Sequence, residues 1–524
     1  MAGNNGVDYL FTTQHPLGPI GISDSVSTPV LKALYDTRVQ LHLRSESNPP
    51  TFIVGRRGSG KTALLLSREL KPKNLSVRLS AQGVFSGMQS ATRRIGQSMI
   101  LPVEGVAQLW EMLLWAPIIT RLVLSDPPHK DDPPRAFQIL WEETATLRRE
   151  VNGSARPDDD ALDFAMLRLI EHVDHSGVVP SLGTLRRGFR LADRPWSQVI
   201  EAAREVIKAR GTPVFVLIDS LEHIGEHVDD IRSILQGLFH LVGQLGMRIG
   251  PSHVRIQCCF PSELWPMLDR VSANPIKDFS GRMVLRWHWQ DLLSAVGMRL
   301  RMFLERHYPE EARGIGADDH ERLLARVLPP SLVSAGGVPE NTVAYILRHT
   351  QLLPRQVLYI FNEALHTAIA RTGCPRIRVD DVLVAVAEAE ATLCPEVFSA
   401  HNFRHPHAHD VARRLIPHLP FRFDDGYLHR MFNQAGIRKE FGLDYVHTRE
   451  MLTDVGILGR FVSETERYLR AEFVYAAEGQ MILSPDEQYC LHPLFVRQYN
   501  SRDALPSASA VKPVYPSGTP ERMI

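Results

Sequence analysis

Gly55-Arg-Arg-Gly-Ser-Gly60-Lys61-Thr62 is the stretch on which the fold turns. It fits the pattern GxxxxGK[ST]. It lies between the short apolar run Thr51 to Val54, read as a buried strand, and a helix that runs on from Leu64. That order is what an anion site requires. Glycines let the backbone turn so that successive N–H groups face one point, and the helix that follows adds the partial positive charge of its N-terminus. Lys61 is then placed to reach the β- and γ-phosphates of a nucleotide, and the Thr62 hydroxyl to ligate Mg2+. Gly55, Arg56, Arg57, Gly58, Ser59, Gly60, Lys61, Thr62 and Ala63 are therefore the candidate nucleotide-binding residues. Arg56 and Arg57 are extra cations that either touch phosphate or face solvent.

Further along, Val214-Phe-Val-Leu-Ile-Asp219-Ser-Leu-Glu222 opens with a continuous apolar run, as expected of a strand buried on both faces. A carboxylate at the end of such a strand points at the sheet edge where ligands bind, so Asp219 is the expected Mg2+ partner. Glu222, three residues on, either orients or deprotonates an attacking water or is a surface or helix-capping carboxylate. Lys61, Asp219 and Glu222 are the candidate catalytic residues, Thr62 and Asp219 the candidate metal ligands, and ATP with Mg2+ the expected cofactor pair. There is no Asn-Lys-x-Asp motif of the kind that reads guanine, which argues against GTP.

Leu75 to Leu79 and Val254 to Phe260 add two more strand-like segments, and strands alternating with helices predict an α/β fold with a mostly parallel sheet. Between about residues 87 and 210 the pattern turns helical, an insertion into the nucleotide-binding domain assigned to 25–285. Its Trp110, Leu113, Leu114 and Trp115 have the helical spacing of core residues. Residues 286–398 carry only helical periodicity and are read as a separate lid domain.

The stretch SAHNFRHPHAH is read as a polar linker. No carboxylate or Cys has metal-ligand spacing to its His401, His405, His407 and His409. Three helix-like segments, then strand-like Tyr468 to Tyr475 and Gln480 to Leu491, suggest a winged helix over 399–499. Such a fold binds DNA through its third helix, here Tyr445 to Gly456 with His447, Thr448 and Arg449, while wing arginines, here Arg467 and Arg470, touch phosphate. Asp444, Glu450 and Asp454 weaken the field of that helix, so docking of a protein or packing on the nucleotide-binding core is the other reading. The Pro- and Ser-rich tail 500–524 is expected to be disordered, and segment 1–24 shows little periodicity.

Lys plus Arg equals Asp plus Glu at 59 each in the 524 residues, so no global field attracts nucleic acid or an anionic membrane. The five cysteines lack paired spacing and read as reduced core residues. With no basic and apolar leader pattern and no uninterrupted apolar run of about twenty residues, a cytoplasmic protein is expected.

On these motifs the sequence resembles the STAND and AAA+ branch of P-loop ATPases, with a layout similar to the origin-recognition ATPases of archaea and eukaryotes. Leu268-Asp-Arg-Val-Ser, Met283-Val-Leu-Arg-Trp and Asp291-Leu-Leu-Ser-Ala-Val-Gly-Met-Arg299 resemble the passage from sensor strand to lid, which would make Arg270 or Arg282 an arginine finger. Leu353-Pro-Arg355-Gln-Val-Leu resembles the sensor 2 helix, so Arg355 would contact the γ-phosphate. Ser220 after Asp219 departs from the adjacent Asp-Glu of AAA+ proteins, and the insertion is longer than in origin-recognition ATPases. The GRRGSGKT loop, the Trp-bearing insert and the winged-helix end are also similar to a group of bacterial P-loop ATPases, relatives of which occur in phage-defence loci. The resemblance implies a nucleotide-gated switch that controls a protein partner or homo-oligomer. The alternative is a DNA-binding initiator or transposition-type ATPase.

Overall fold

The computed structural model describes residues 10–21, 26–34, 50–70, 74–96, 101–125, 134–176, 181–219, 232–247, 254–266, 281–334, 337–477, 481–504 and 511–520. They fall into two units. One is Ile22–Tyr35 with His42–Leu285, and the other is Met1–Gly21, Asp36–Leu41 and Arg286–Ile524.

In the first unit, β1 (Phe52–Gly55), β2 (Leu75–Ser80), β3 (Val214–Asp219), β4 (Val254–Pro261) and β5 (Arg282–Val284) form a parallel sheet in the order β2-β3-β4-β1-β5. Alternate residues face opposite sides. Ile53, Phe215, Leu217 and Cys259 pack against Leu31 of α1 (Thr28–Leu34) and Leu64 to Leu66 of α2 (Lys61–Leu66). Phe52, Val54, Val77, Val216, Ile218 and Phe260 face the other way, into the larger core. With both faces covered, β1 and β3 are buried along their whole length, which is why they read as unbroken apolar runs. The strand β5 is three residues long, alternately exposed, and has no comparable signal in the sequence.

Seven helices among the described residues fill the connection from β2 to β3, starting at Ala81 immediately after the strand. They are α3 (Ala81–Gly96), α4 (Val103–Ser125), α5 (Arg135–Glu143), α6 (Ala145–Glu150), α7 (Pro157–Ser176), α8 (Leu182–Gly188) and α9 (Trp196–Arg210). By length and composition α4 could cross a membrane, but most of it is buried inside the protein. It is a core helix, apolar on all sides because it is surrounded. The indole N–H of Trp110 in α4 donates to the Ile234 carbonyl of α10 (Arg232–Met247) at 2.9 Å, and that of Trp196 donates to Met112 at 2.9 Å. Trp110, Leu113, Leu114 and Trp115 all lie in this core.

The stretch Ala155 to Asp160, a Pro- and Asp-rich break in the sequence, starts helix α7 with Pro157 in its first turn. Asp158 Oδ2 accepts from the Arg78 backbone N–H at 2.7 Å, and Asp159 Oδ1 accepts from that of Ser80 at 2.8 Å. Both N–H groups lie on β2, the edge strand, so the insertion caps an edge that would otherwise offer unpaired donors.

The second unit is helical over Trp289–His307, His320–Val327, Thr342–Arg348, Pro354–Thr372 and Val379–His401, with a small hairpin of β6 (Ser331–Val333) and β7 (Pro339–Asn341). The buried Arg299 holds the N-terminal stretch by donating to the Leu17 and Pro19 carbonyls at 3.2 and 2.6 Å. Further on are the helices Ala408–Leu415, Asp425–Gln434, Ile437–Phe441 and Tyr445–Asp454. With them goes a sheet of β8 (Arg422–Asp424), β9 (Leu458–Glu464), β10 (Leu469–Glu472), β11 (Gln488–Leu491) and β12 (Val514–Pro516) in the order β12-β10-β9-β11-β8.

Two expectations change here. The His-rich stretch is folded: the helix Val379–His401 runs into it, His401 is buried, and His405 Nε2 lies 3.0 Å from Asp454 Oδ2. The tail is disordered in the sequence reading, yet residues 514–516 pair with β10 and bury Val514 and Tyr515. A composition poor in apolar residues still folds where two such side chains meet ready-made pockets. Residues 505–510 and 521–524 of that tail lie outside the described residues.

Candidate nucleotide site

The site is built where β1 meets α2. Gly58 and Gly60 have φ of 82° and 84°, a left-handed backbone that other residues adopt only at a cost, and Gly60 is the N-cap of α2. Ser59 N–H donates to the Arg56 carbonyl at 3.0 Å and Leu64 N–H to that of Gly60 at 3.1 Å, so a tight turn passes straight into the helix. A side chain on Gly55 would put its Cβ 2.6 Å from Ser59 Oγ and 3.2 Å from Leu285 Cβ. The loop therefore closes only around glycine. Lys61, 6% exposed, reaches back across it and donates from Nζ to the Arg56 carbonyl at 3.0 Å.

Neighbouring strands supply the acidic side. Asp219 ends β3 and is 4% exposed. Between it and the loop stands Cys259 of β4, whose thiol donates to the Lys61 carbonyl oxygen at 3.6 Å and feels the charge of the Asp219 carboxylate. Burial first, and then the charge of Asp219, push the Cys259 thiol well above its ordinary value, so it stays protonated. Glu263, just past β4, takes the Arg57 backbone N–H on Oε1 at 3.0 Å and the Ser262 hydroxyl on Oε2 at 3.2 Å. On the β2 side Asp219 borders a polar cavity of about 430 Å3 whose wall includes Arg78, Arg121 and Asp158.

Strand order explains the location. The chain leaves β1 toward β2 at one edge and returns by β3 and β4, so β1 and β4 flank the point where the connections change direction. Ligands of open parallel sheets bind outside the carboxyl ends of strands at such a point. The donor set also suits a nucleotide: turned N–H groups and an ammonium for phosphate, with a hydroxyl and one carboxylate for a hard cation. Mg2+ is usually held by one or two carboxylates, phosphate oxygens and water. Thr62, the second residue of α2 and half-buried, and Asp219 are the residues that could hold it. Among the described residues no cluster of three His, Cys, Asp or Glu forms another metal site.

Glu222 and Arg270 lie outside the described residues. Arg282 is exposed on β5, with its guanidinium 4.7 Å from the centre of the Trp265 ring. Arg355 belongs to the second unit, where it opens the helix Pro354–Thr372 and donates from Nη1 to Glu396 Oε1 at 2.5 Å. In the helix Tyr445–Asp454, Thr448 is buried, and Arg449 donates to Asp425 Oδ1 at 2.7 Å from a largely buried position. Only His447 of that trio is exposed, and it is paired with Asp444 at 2.7 Å. Arg470 donates to the Thr519 carbonyl at 3.0 Å, whereas Arg467 is exposed. Sequence reading missed Glu263 and Cys259, since nothing in the local pattern says that the end of β4 lies against the loop.

The parallel sheet, the glycine loop between β1 and α2 and the acidic end of β3 define a P-loop nucleoside-triphosphatase fold with helical regions. No protein-family model matches the chain, and no curated protein matches it. Among solved structures it is similar to the ORC2 protein of Aeropyrum pernix, determined as ADPNP–ADP complexes. The two are 13% identical, with a TM-score of 0.38, over 91% of this chain and 93% of that one. A likeness of that size carries no inference about activity.

Proposed function

We propose that the chain binds ATP with Mg2+ and hydrolyses it, as a nucleotide-gated switch of the STAND and AAA+ kind. The observation that carries this reading is the loop itself: Gly58 and Gly60 in left-handed backbone, with the Lys61 ammonium folded over the turn that opens α2. On binding, Lys61 leaves the Arg56 carbonyl for the β- and γ-phosphates, and the N–H groups at the start of α2 take phosphate oxygens. Thr62 and Asp219 hold the metal, and Glu222 orients water. Mg2+ held by Thr62 and Asp219 would supply charge neutralisation for the phosphates.

Gating falls to Arg355. Its pair with Glu396 is about one-third exposed on each side, and such pairs are worth about 1 kcal/mol or less. A γ-phosphate, which carries more charge, competes well for the guanidinium, and the exchange would free Glu396 and its helix. The output is control of a protein partner or of self-assembly, with phage defence as the setting the sequence resemblance offers. A DNA-loading role through the helix Tyr445–Asp454 has less support, because Arg449 is committed to Asp425 and Thr448 is buried.

The test is ATP binding, turnover and mass in solution for the wild type, Lys61→Ala, Glu222→Gln and Arg355→Ala. Lys61→Ala should lose nucleotide, Glu222→Gln should bind ATP without turning it over, and Arg355→Ala should bind ATP but lose the ATP-dependent change in assembly. Absence of ATP binding by the wild type would end this reading.

A further inference from the structure

Residues 511–520 lie along the edge of β10 and are received there piece by piece. Leu469, Arg470 and Ala471 pair in parallel with Val514, Tyr515 and Pro516. Flanking bonds extend the ladder, from Leu469 N–H to the Pro513 carbonyl at 2.9 Å and from Ser517 N–H to that of Ala471 at 2.7 Å. Lys512 donates to Glu464 Oε1 at 2.6 Å and to the Thr465 carbonyl at 2.8 Å. Val514 joins Leu469, Ala471, Phe473 and Cys490 in a small core. Tyr515 is 1% exposed, and its hydroxyl donates to Glu340 Oε2 at 2.6 Å.

Glu340 is ready-made for that hydroxyl. Arg348 holds both of its oxygens, at 2.7 and 3.0 Å, and the guanidinium lies 5.8 Å from the Tyr515 ring centre. Burial pushes the Glu340 carboxyl up, but the charge of Arg348 and hydrogen bonds from Arg348, Ser334 and Tyr515 outweigh it, so the group stays ionised. Backbone ladder along a sheet edge plus a pocket for one side chain is how sheet-adding peptides are recognised. Pro516 sits where the missing N–H faces away from the ladder, and Pro513, whose carbonyl takes the Leu469 N–H, stands at the start of the strand, the two places where a sheet edge tolerates proline.

We propose that residues 511–520 are a peptide ligand carried in cis, filling a groove made by the β10 edge and the Glu340–Arg348 pair that selects an extended Lys-Pro-Val-Tyr-Pro segment. Because Glu340 and Arg348 come from the helical half of the unit and β10 from its sheet, occupancy of the groove ties the two halves together.

The test keeps the chain whole while it folds. A protease site placed between Ala504 and Lys512 is cut after purification, and a fluorescein-labelled peptide of residues 511–520 is added to cut and uncut protein while polarisation is read. The cut protein should take up the peptide saturably and the uncut protein should exclude it. A peptide carrying Tyr515→Phe should bind at least fivefold more weakly. Equal binding to cut and uncut protein, no uptake by the cut protein, or indifference to Tyr515→Phe would each overturn the proposal. Should cutting unfold the protein, hydrogen exchange in the uncut Tyr515→Phe chain decides. Faster exchange confined to the Leu469 and Ser517 amides supports the groove, and a rise spread evenly over β9 to β11 overturns it.

Discussion

Glu263 Oε1 accepts the backbone N–H of Arg57 at 3.0 Å, so a carboxylate at the end of β4 grips the phosphate loop from outside. The two residues are more than two hundred positions apart. Hydrogen bonds to a charged acceptor are worth about 1.5–3 kcal/mol, and the grip acts on a loop whose shape must persist before phosphate arrives.

Glu263→Gln keeps an acceptor in place, and nucleotide affinity measured by calorimetry should stay within about threefold of the wild type. Glu263→Ala leaves the Arg57 N–H without that acceptor and should weaken affinity about tenfold, the equivalent of roughly 1.4 kcal/mol. Equal affinity for wild type and alanine variant would mean that the loop holds its shape unaided.

Gly60→Ala puts a Cβ on a residue with φ of 84° at the head of α2. The backbone strain is about 1–2 kcal/mol, and its relief would turn the first N–H groups of the helix away from the loop. Nucleotide binding should be lost with only a small fall in Tm, read by thermal unfolding with and without ATP. Binding at wild-type strength would rule out a requirement for this backbone.

Asp158 is buried, and it takes the Arg78 N–H and pairs twice with Arg121, at 3.0 and 2.5 Å. Asp158→Ala leaves an edge N–H and a half-buried guanidinium without that partner, a change expected to cost about 2–4 kcal/mol. Denaturant unfolding should show it. Asp159→Ala, which removes one N–H acceptor from a more exposed position, should cost about 1 kcal/mol.

His349 Nδ1 and Glu390 Oε1 meet at 2.6 Å in the second unit, with Arg497 Nε 2.8 Å from the other carboxylate oxygen and Arg348 and Cys394 nearby. Burial first, and then the charge of Arg348, keep His349 neutral, while burial raises Glu390 to about 7 against the pull of Arg497. The folded Glu390 thus keeps a proton that the unfolded chain has released. Its contribution to stability is complete below about pH 4.5, declines above that, and is gone once pH has passed through 7. Glu390→Gln should remove this decline, a difference on the order of 1–3 kcal/mol between pH 5 and pH 8. Parallel pH profiles for the variant and the wild type would show that Glu390 titrates normally.

What could be read from contiguous residues is what contiguous residues determine. The buried runs Phe52 to Gly55 and Val214 to Asp219, the glycine pattern between β1 and α2, and the apolar spacing of α4 are local demands of burial, backbone angle and helical period. They are written into the sequence whatever the rest of the chain does. The strand β5 escaped notice because three alternately exposed residues bury too little to show, and the tail strand because its two anchoring side chains depend on pockets made elsewhere. Only the tertiary structure puts Glu263 on Arg57, Cys259 between Lys61 and Asp219, Asp158 and Asp159 on the β2 edge, Arg449 on Asp425 and Tyr515 on Glu340. Each of these contacts is set by sheet order and packing, and a side chain's chemistry does not name the partner that folding will bring to it.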